Sequence, residues 1–337
     1  MDWFEKLTGF RETSYAETRA RLTVEGRRLR SHVNGASYEI GELELASLQS
    51  LRDRAQSAGG MPGRLKASVV TGDVRRMHRS PDNAGALFQV ASQFNFLEMV
   101  SPEVTPEQGV TRYQSDPTQG PACAIAAGAA TIYRNYFAPV GGGQGQTAKR
   151  QLNGLADLGD ALSGKLNMPV GSLWRMQNGY ALGTQTGLDA IARYLRTLAI
   201  DQLDSLRGKL CIGLHRDVEV TEAAGPERIL VSQAFCSALP VAYSRVPPSH
   251  WEPFASLVLE AAYEATMWAT VLNAQRGASN VVFLTLLGGG AFGNRGSWIH
   301  SAIHRALTLM RPYEIDVKLV SYGTPSKETL AIVEEFG

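Results

Sequence analysis

The sequence predicts an α/β fold, a mixed central sheet sandwiched by helices, and three observations carry that expectation. From about residue 66 onward, short apolar or β-branched runs largely alternate with longer segments at helical spacing. Several of the runs, "KASVVTGD", "LFQVASQ" and "NVVFLTLLGGG", stop abruptly at polar residues or glycines, as strands do where an open sheet meets a ligand. The 337 residues are 44% hydrophobic and 19% charged. A chain of this size buries roughly 70% or more of its unfolded surface, so a full core is expected.

The elements follow in order. Residues 1–60 read as an N-terminal accessory segment. In it "ARLTVEG" and "ASYEIGELE" alternate as a short strand pair does, and a helix is expected over residues 41–57. "GGMPG" breaks the chain at 59–63. The main α/β domain is expected over 61–337. It opens with the strands "RLKASVVTGDV" and "GALFQVASQFNFLEM". "GPACAIAAGAATIYRNYF" is rich in Ala and starts after Gly-Pro, which suits a tightly packed helix. "VGGGQGQTAKR" reads as a loop. Residues 147–207 form a helical insertion with apolar residues at helical spacing. Two strands follow, "KLCIGLHRDVEVT" and "RILVSQAFCSALPVAYS", joined by "EAAGPE". Then come the long helix "PFASLVLEAAYEATMWATVLNAQ", a strand, the helix "GSWIHSAIHRALTLM", the strand "DVKLVSY" and the helix "KETLAIVEEF".

Charge and composition exclude several function classes. A formal net charge of +1 offers no field for steering nucleic acid or a membrane surface. No window reaches about 18 uninterrupted apolar residues. The opening "MDWFEKLTGFRETS" carries acids and lacks the apolar core of a signal peptide. Cys123, Cys211 and Cys236 lie far apart and form no CxxC pair, so a reducing, cytoplasmic setting without structural zinc is expected. His300 and His304 share one helix face, but no third ligand stands at a recognisable spacing, and a helix-surface or interface pair is expected in place of a metal site. His78, in "HRSP", reads as a solvated loop residue, and His215 and Asp217 as ordinary strand residues. No GxSxG is present, so a serine hydrolase is unsupported.

The stretch with the most chemistry in it is "NVVFLTLLGGGAFGN", residues 280–294. A strand running into glycines and then a helix presents backbone N–H groups to an anion, and glycines let a ligand approach the main chain with no Cβ in the way. The stretch is not GxxxxGK[ST], and it makes a poor GxGxxG fingerprint because no acidic residue ends the next strand. A tight strand–helix turn with no ligand is the alternative.

Taken together, the order of motifs resembles the macrodomain superfamily, the ADP-ribose-binding fold, with some likeness to its poly(ADP-ribose) glycohydrolase branch. "VVTGDV" stands where macrodomains carry a strand ending in Gly-Asp-Ile/Val. "LFQVASQFN" stands where they carry Asn-Ala-Ala-Asn, with Gln89 and Ser92 in the Asn places and Gln93 and Asn95 following. "QSDPTQGPACAIAAGAATI" occupies the first loop and its small-residue helix, and "LLGGGAFGN" the second glycine loop. The likeness covers roughly residues 66–140 and 208–325.

What the resemblance implies is specific. Asp73 and Val74 would read the adenine. The second loop, Gly288, Gly289, Gly290, Ala291, Phe292, Gly293 and Asn294, would wrap the pyrophosphate, with Phe292 against the distal ribose. The first loop, Asp116 to Cys123 with Gln119 and Gly120, would cover the other side. That loop lacks the family's Gly-Gly-Gly and the Gln-Glu-Glu of the glycohydrolases. Asp116, Gln119 and, further back, Glu98 are its polar candidates. The closing strand offers Tyr322 but lacks the later aromatic that stacks on adenine. The expected function is binding of ADP-ribose or an ADP-ribosylated molecule and hydrolysis of the ADP-ribosyl linkage, with Asp116 as the catalytic carboxylate and no cofactor or metal. Two alternatives stay open. One is a non-catalytic ADP-ribose reader whose insertion docks the partner; the other is a different nucleotide in the same cleft.

Overall fold

The computed structural model describes residues 1–59, 61–223 and 227–337. The expected breaks "GGMPG" and "EAAGPE" each lie partly outside the described residues, at 60 and at 224–226.

Seven strands form one mixed sheet: β1 (Glu42–Ser47), β2 (Lys66–Thr71), β3 (Leu87–Ala91), β4 (Cys211–Glu219), β5 (Leu230–Cys236), β6 (Val281–Leu284) and β7 (Asp316–Ser321). Their order across the sheet is β1-β4-β5-β3-β6-β7-β2. Strand β4 runs antiparallel to both its neighbours, while β5, β3, β6, β7 and β2 are mutually parallel. The five parallel strands therefore end at one edge.

Helices cover both faces: α1 (Leu48–Ser57), α2 (Val74–His78), α3 (Gln119–Ala126), α4 (Gly128–Tyr136), α5 (Pro248–Gln275), α6 (Gly296–Met310) and α7 (Lys327–Phe336). The two-residue period of β3 divides the core between them. Leu87 packs in the cluster that holds Trp251 and Val258 of α5 and Ile303 of α6. Phe88 and Val90 face the opposite way, onto Cys123 of α3 and Ala130 of α4.

The structure corrects three expectations about elements. Residues 42–47 are strand β1, paired with Cys211–Arg216, and the helix expected from residue 41 begins only at Leu48, where the Ser47 hydroxyl accepts the Ser50 N–H at 3.1 Å. Local periodicity fits both states there, and pairing to β4 decides. Thus the segment expected to be accessory supplies an edge strand of the main sheet. It also forms a small antiparallel sheet of its own, Leu22–Glu25, Arg28–Ser31 and Ser37–Glu39. The single Ala-rich helix is two, α3 and α4, parted at Ala127. The insertion contains the expected helices, among them Ala156–Leu166, Gln185–Leu195 and Ile200–Arg207, but also a hairpin, Trp174–Gln177 with Tyr180–Gly183. Leu158, Leu188 and Ile191 of the insertion join the same core cluster as α5. Among the described residues, no helix is long and apolar enough to cross a membrane.

Candidate functional site

A cleft of about 420 Å³ lies along the carboxyl ends of the parallel strands. It runs from Asp73 after β2 to Ala238 after β5. Five strands make four spacings of ~4.8 Å, so the cleft is on the order of 19 Å long. Its volume falls within the roughly 300–1,000 Å³ of small-molecule sites.

At the β2 end stand Asp73, Val74 and Tyr322. Asp73 caps α2, its Oδ1 accepting the Arg75 N–H at 2.9 Å. Its second oxygen takes no hydrogen bond among the described residues. Tyr322 is 87% exposed, so its ring is open to a planar ligand. His78, expected on a loop in water, is instead fully buried at the end of α2. Its ring stacks on Phe88 at 3.7 Å, its Nδ1 lies 2.8 Å from the Val74 carbonyl, and burial lowers its pKa to about 4.

The second glycine loop occupies the middle. Gly288 and Gly293 adopt φ of +74° and +70°, which L side chains resist. The Asn294 side chain donates to the Leu239 and Gly288 carbonyls at 2.9 and 3.3 Å and holds the loop closed. The Gly293 N–H donates to Gly290 O, whereas among the described residues the N–H groups of Gly290, Ala291 and Phe292 meet no acceptor. Three successive free amides beside a cleft can donate to an anion. Across from them α3 begins at Gln119, and its first two N–H groups lack helical partners by construction of a helix start. Gly120 is required there, because an added Cβ would sit 1.9 Å from the Ala91 carbonyl. The Gln119 side chain clamps the same strand end. Its Oε1 accepts the Ala91 N–H at 2.9 Å and its Nε2 donates to Gln89 O at 2.8 Å.

Beyond β3, residues 92–101 fold back over the cleft. Gln93 Oε1 accepts the Met99 N–H at 2.8 Å, and Asn95 Oδ1 accepts that of Leu97 at 3.1 Å. These bonds present Glu98 to the cleft floor, under Gly120. The carboxyl is buried. One oxygen lies 3.5 Å from Nη2 of Arg134, and the other has no partner among the described residues. Burial pushes the Glu98 carboxyl up from 4.5 to about 7, against the Arg134 charge, which pulls it down. An unpartnered buried carboxylate oxygen is costly, and protonation or a ligand relieves it.

The far wall is aromatic. Tyr180, Tyr243 and Phe292 have ring centroids 5.2–5.6 Å apart. Tyr180 comes from the insertion hairpin, and its hydroxyl donates to the Met99 carbonyl at 2.6 Å. At the hairpin tip Gly179 O accepts the Phe94 N–H at 2.9 Å. The insertion therefore braces the loop that carries Glu98.

Of the residues singled out from sequence, Asp73, Val74, Ser92, Gln93, Asp116, Gln119, Gly120, Gly288, Gly290, Ala291 and Phe292 line the cleft. Six do not. Gln89 points to the α5 face, donating to Thr266 Oγ1 at 3.0 Å, because it shares the parity of Leu87. Asn95 accepts the Leu97 N–H of its own loop and donates to Gln151 Oε1 at 2.9 Å, Asn294 and Gly293 build the glycine loop, and Cys123 is buried within α3 with its thiol pushed well above its usual range by burial. A Cβ on Gly289 would face Ile299 Cδ1 at 3.2 Å, away from the ligand side. The Gln119 amide is bonded at both ends, and half-buried Asp116 closes a turn by accepting the Thr118 N–H at 2.8 Å. His300 and His304 each bond the C-terminal helix, to Thr329 and Glu335. His215 and Asp217 are parted by a bulge.

No protein-family model matches the chain, and no curated protein matches it. Among solved structures it is similar to the poly(ADP-ribose) glycohydrolase of Thermomonospora curvata, at 14% identity over 96% of this chain and 97% of that chain, with a TM-score of 0.45. It is similar too to the poly(ADP-ribose) glycohydrolase of Deinococcus radiodurans in complex with ADP-ribose, at 12% identity over 87% of this chain and 92% of that one, with a TM-score of 0.41.

Proposed function

We propose that this protein binds ADP-ribose and hydrolyses the ADP-ribosyl linkage of an adduct, with Glu98, in place of Asp116, as the proton-moving carboxyl. In this reading the adenine lies between Asp73 and Tyr322. The pyrophosphate spans the free amides of Gly290 to Phe292 and the start of α3. The distal ribose rests by Phe292 and Ser92, over Glu98. The observation that carries the reading is that Glu98, with a buried and unpartnered carboxyl oxygen, lines a cleft bordered by free backbone amides.

The chemistry balances with one carboxyl. Glu98, about half of it protonated near neutrality, donates its proton to the leaving atom as the bond from C1″ breaks. Water then forms the new C1″–O bond and returns its proton to Glu98. The pyrophosphate site holds the ligand in register while charge develops on the ribose.

Titration calorimetry with ADP-ribose, AMP and NAD tests the binding, and release of ADP-ribose from protein, nucleic-acid and small-molecule adducts tests the chemistry. ADP-ribose should bind more tightly than AMP. Equal or absent binding would remove the nucleotide assignment. A protein that binds ADP-ribose and releases none from any adduct is a reader.

A further inference from the structure

Arg134 is fully buried on α4, and a buried guanidinium is costly unless something holds it and something needs it. Four contacts hold it. Its Nε donates to Phe96 O at 3.1 Å, its Nη2 to Thr131 Oγ1 at 3.0 Å, and its Nη1 lies 3.5 Å from His215 Nδ1 on β4. Its plane lies over the Phe235 ring of β5, 3.8 Å from the centroid. Thr131 donates its own proton to Ala124 O at 2.6 Å, so its oxygen is left to accept from the arginine. Among the described residues, the one carboxyl paired with this cation is Glu98.

We infer that Arg134 positions Glu98: it fixes one carboxyl oxygen, leaves the other without a partner among the described residues, and supplies the buried positive charge against which that carboxyl ionises. The inference rests on the proposed role of Glu98. The other titratable groups facing the carboxyl are neutral. Tyr113, whose oxygen accepts the Glu98 N–H at 3.1 Å, has its hydroxyl pushed far up by burial. Burial does the same to the Cys123 thiol, and burial with Arg134 holds His215 well below its usual range. An opposite charge at this distance lowers a carboxyl by about 1–3 in pKa, so its removal should act with the reverse sign.

The test reads Glu98 itself. Carboxyl ¹³C NMR of glutamate-labelled protein, with the Glu98 signal assigned by its loss in Glu98→Gln, gives the titration midpoint without substrate. Arg134→Met should raise the midpoint by about 1 or more. Arg134→Lys, which keeps the charge, should return it toward wild type. Thr131→Val, which frees the guanidinium from one anchor, should move it the same way by less and lower kcat with little change in KM. A wild-type midpoint in folded Arg134→Met would overturn the inference, and if that variant does not fold, an unmoved midpoint in Thr131→Val would do so. If wild-type protein binds no ADP-ribose, the functional reading falls, whereas an unmoved midpoint removes the role of Arg134 alone.

Discussion

Glu98→Gln keeps the buried shape and removes the titration, so it should change both turnover and the pH dependence of stability. Burial raises the Glu98 carboxyl from 4.5 to about 7. The folded state therefore holds this proton more tightly than the unfolded chain does. The resulting stability is fully present below about pH 4.5 and is lost as pH rises to about 7. A rise of about 2.5, at 1.36 kcal/mol for each tenfold change, amounts to about 3 kcal/mol. Wild type alone will not display it, because His78 works the other way. Lowered from 6.5 to about 4, that histidine contributes stability that is present above pH 6.5 and lost as pH falls. The comparison with Glu98→Gln cancels His78. Urea unfolding of both proteins at pH 5 and pH 8 should show the variant gaining about 2–3 kcal/mol on wild type between the two. A difference that stays constant with pH would refute the argument from burial. For activity, wild-type kcat/KM should fall as pH rises through about 7, and the variant should lose about 10²–10⁴-fold in turnover while still binding ADP-ribose.

Four substitutions probe the rest of the cleft. Gly290→Val projects into open space on the ligand side and should weaken ADP-ribose by about tenfold or more with near-normal stability, read by calorimetry and thermal melting. Gly289→Val, aimed at Ile299, should instead lower the melting temperature and leave intrinsic affinity close to wild type. Asp73→Ala removes the cap on Arg75 N–H, costing about 1 kcal/mol of stability, and should weaken ADP-ribose more than a ribose phosphate lacking adenine. Equal loss for both ligands would make Asp73 a cap alone. Asp116→Asn preserves the acceptor for Thr118 N–H and should leave turnover nearly unchanged; a large loss would return the catalytic role to Asp116.

How much of this was legible in the chain depends on the range of each signal. The parallel strands β2, β3, β6 and β7 were readable because each is a short β-branched or apolar run ended by Gly, Asp or Ser, a pattern local to about ten residues. The glycine loop was readable for the same reason, but which of its glycines take positive φ, Gly288 and Gly293, was not. Strand β1 was not, because "ELELAS" fits either period and only the partner strand decides between them. Nor was the inward turn of Gln89, since the face a strand residue takes is set by what packs above it, here Thr266, 177 positions away in the chain.

From the sequence by itself came the order of strand-ending motifs, and parallel pairing carries such motifs to one edge of a sheet whatever lies between them. The chemistry of the cleft needed the tertiary structure. Asp116 stood out because it sits in the expected loop, yet a carboxyl's reactivity follows its solvation and its neighbours, which spacing does not report. Glu98 acquires its raised pKa from burial under Gly120, against the downward pull of Arg134, 36 residues further along the chain. Tyr180 reaches the cleft only because a hairpin within the insertion docks on the Glu98 loop. Local patterns determine where strands stop; burial and long-range charge, which exist only once the chain is folded, decide which side chain at those ends can move a proton.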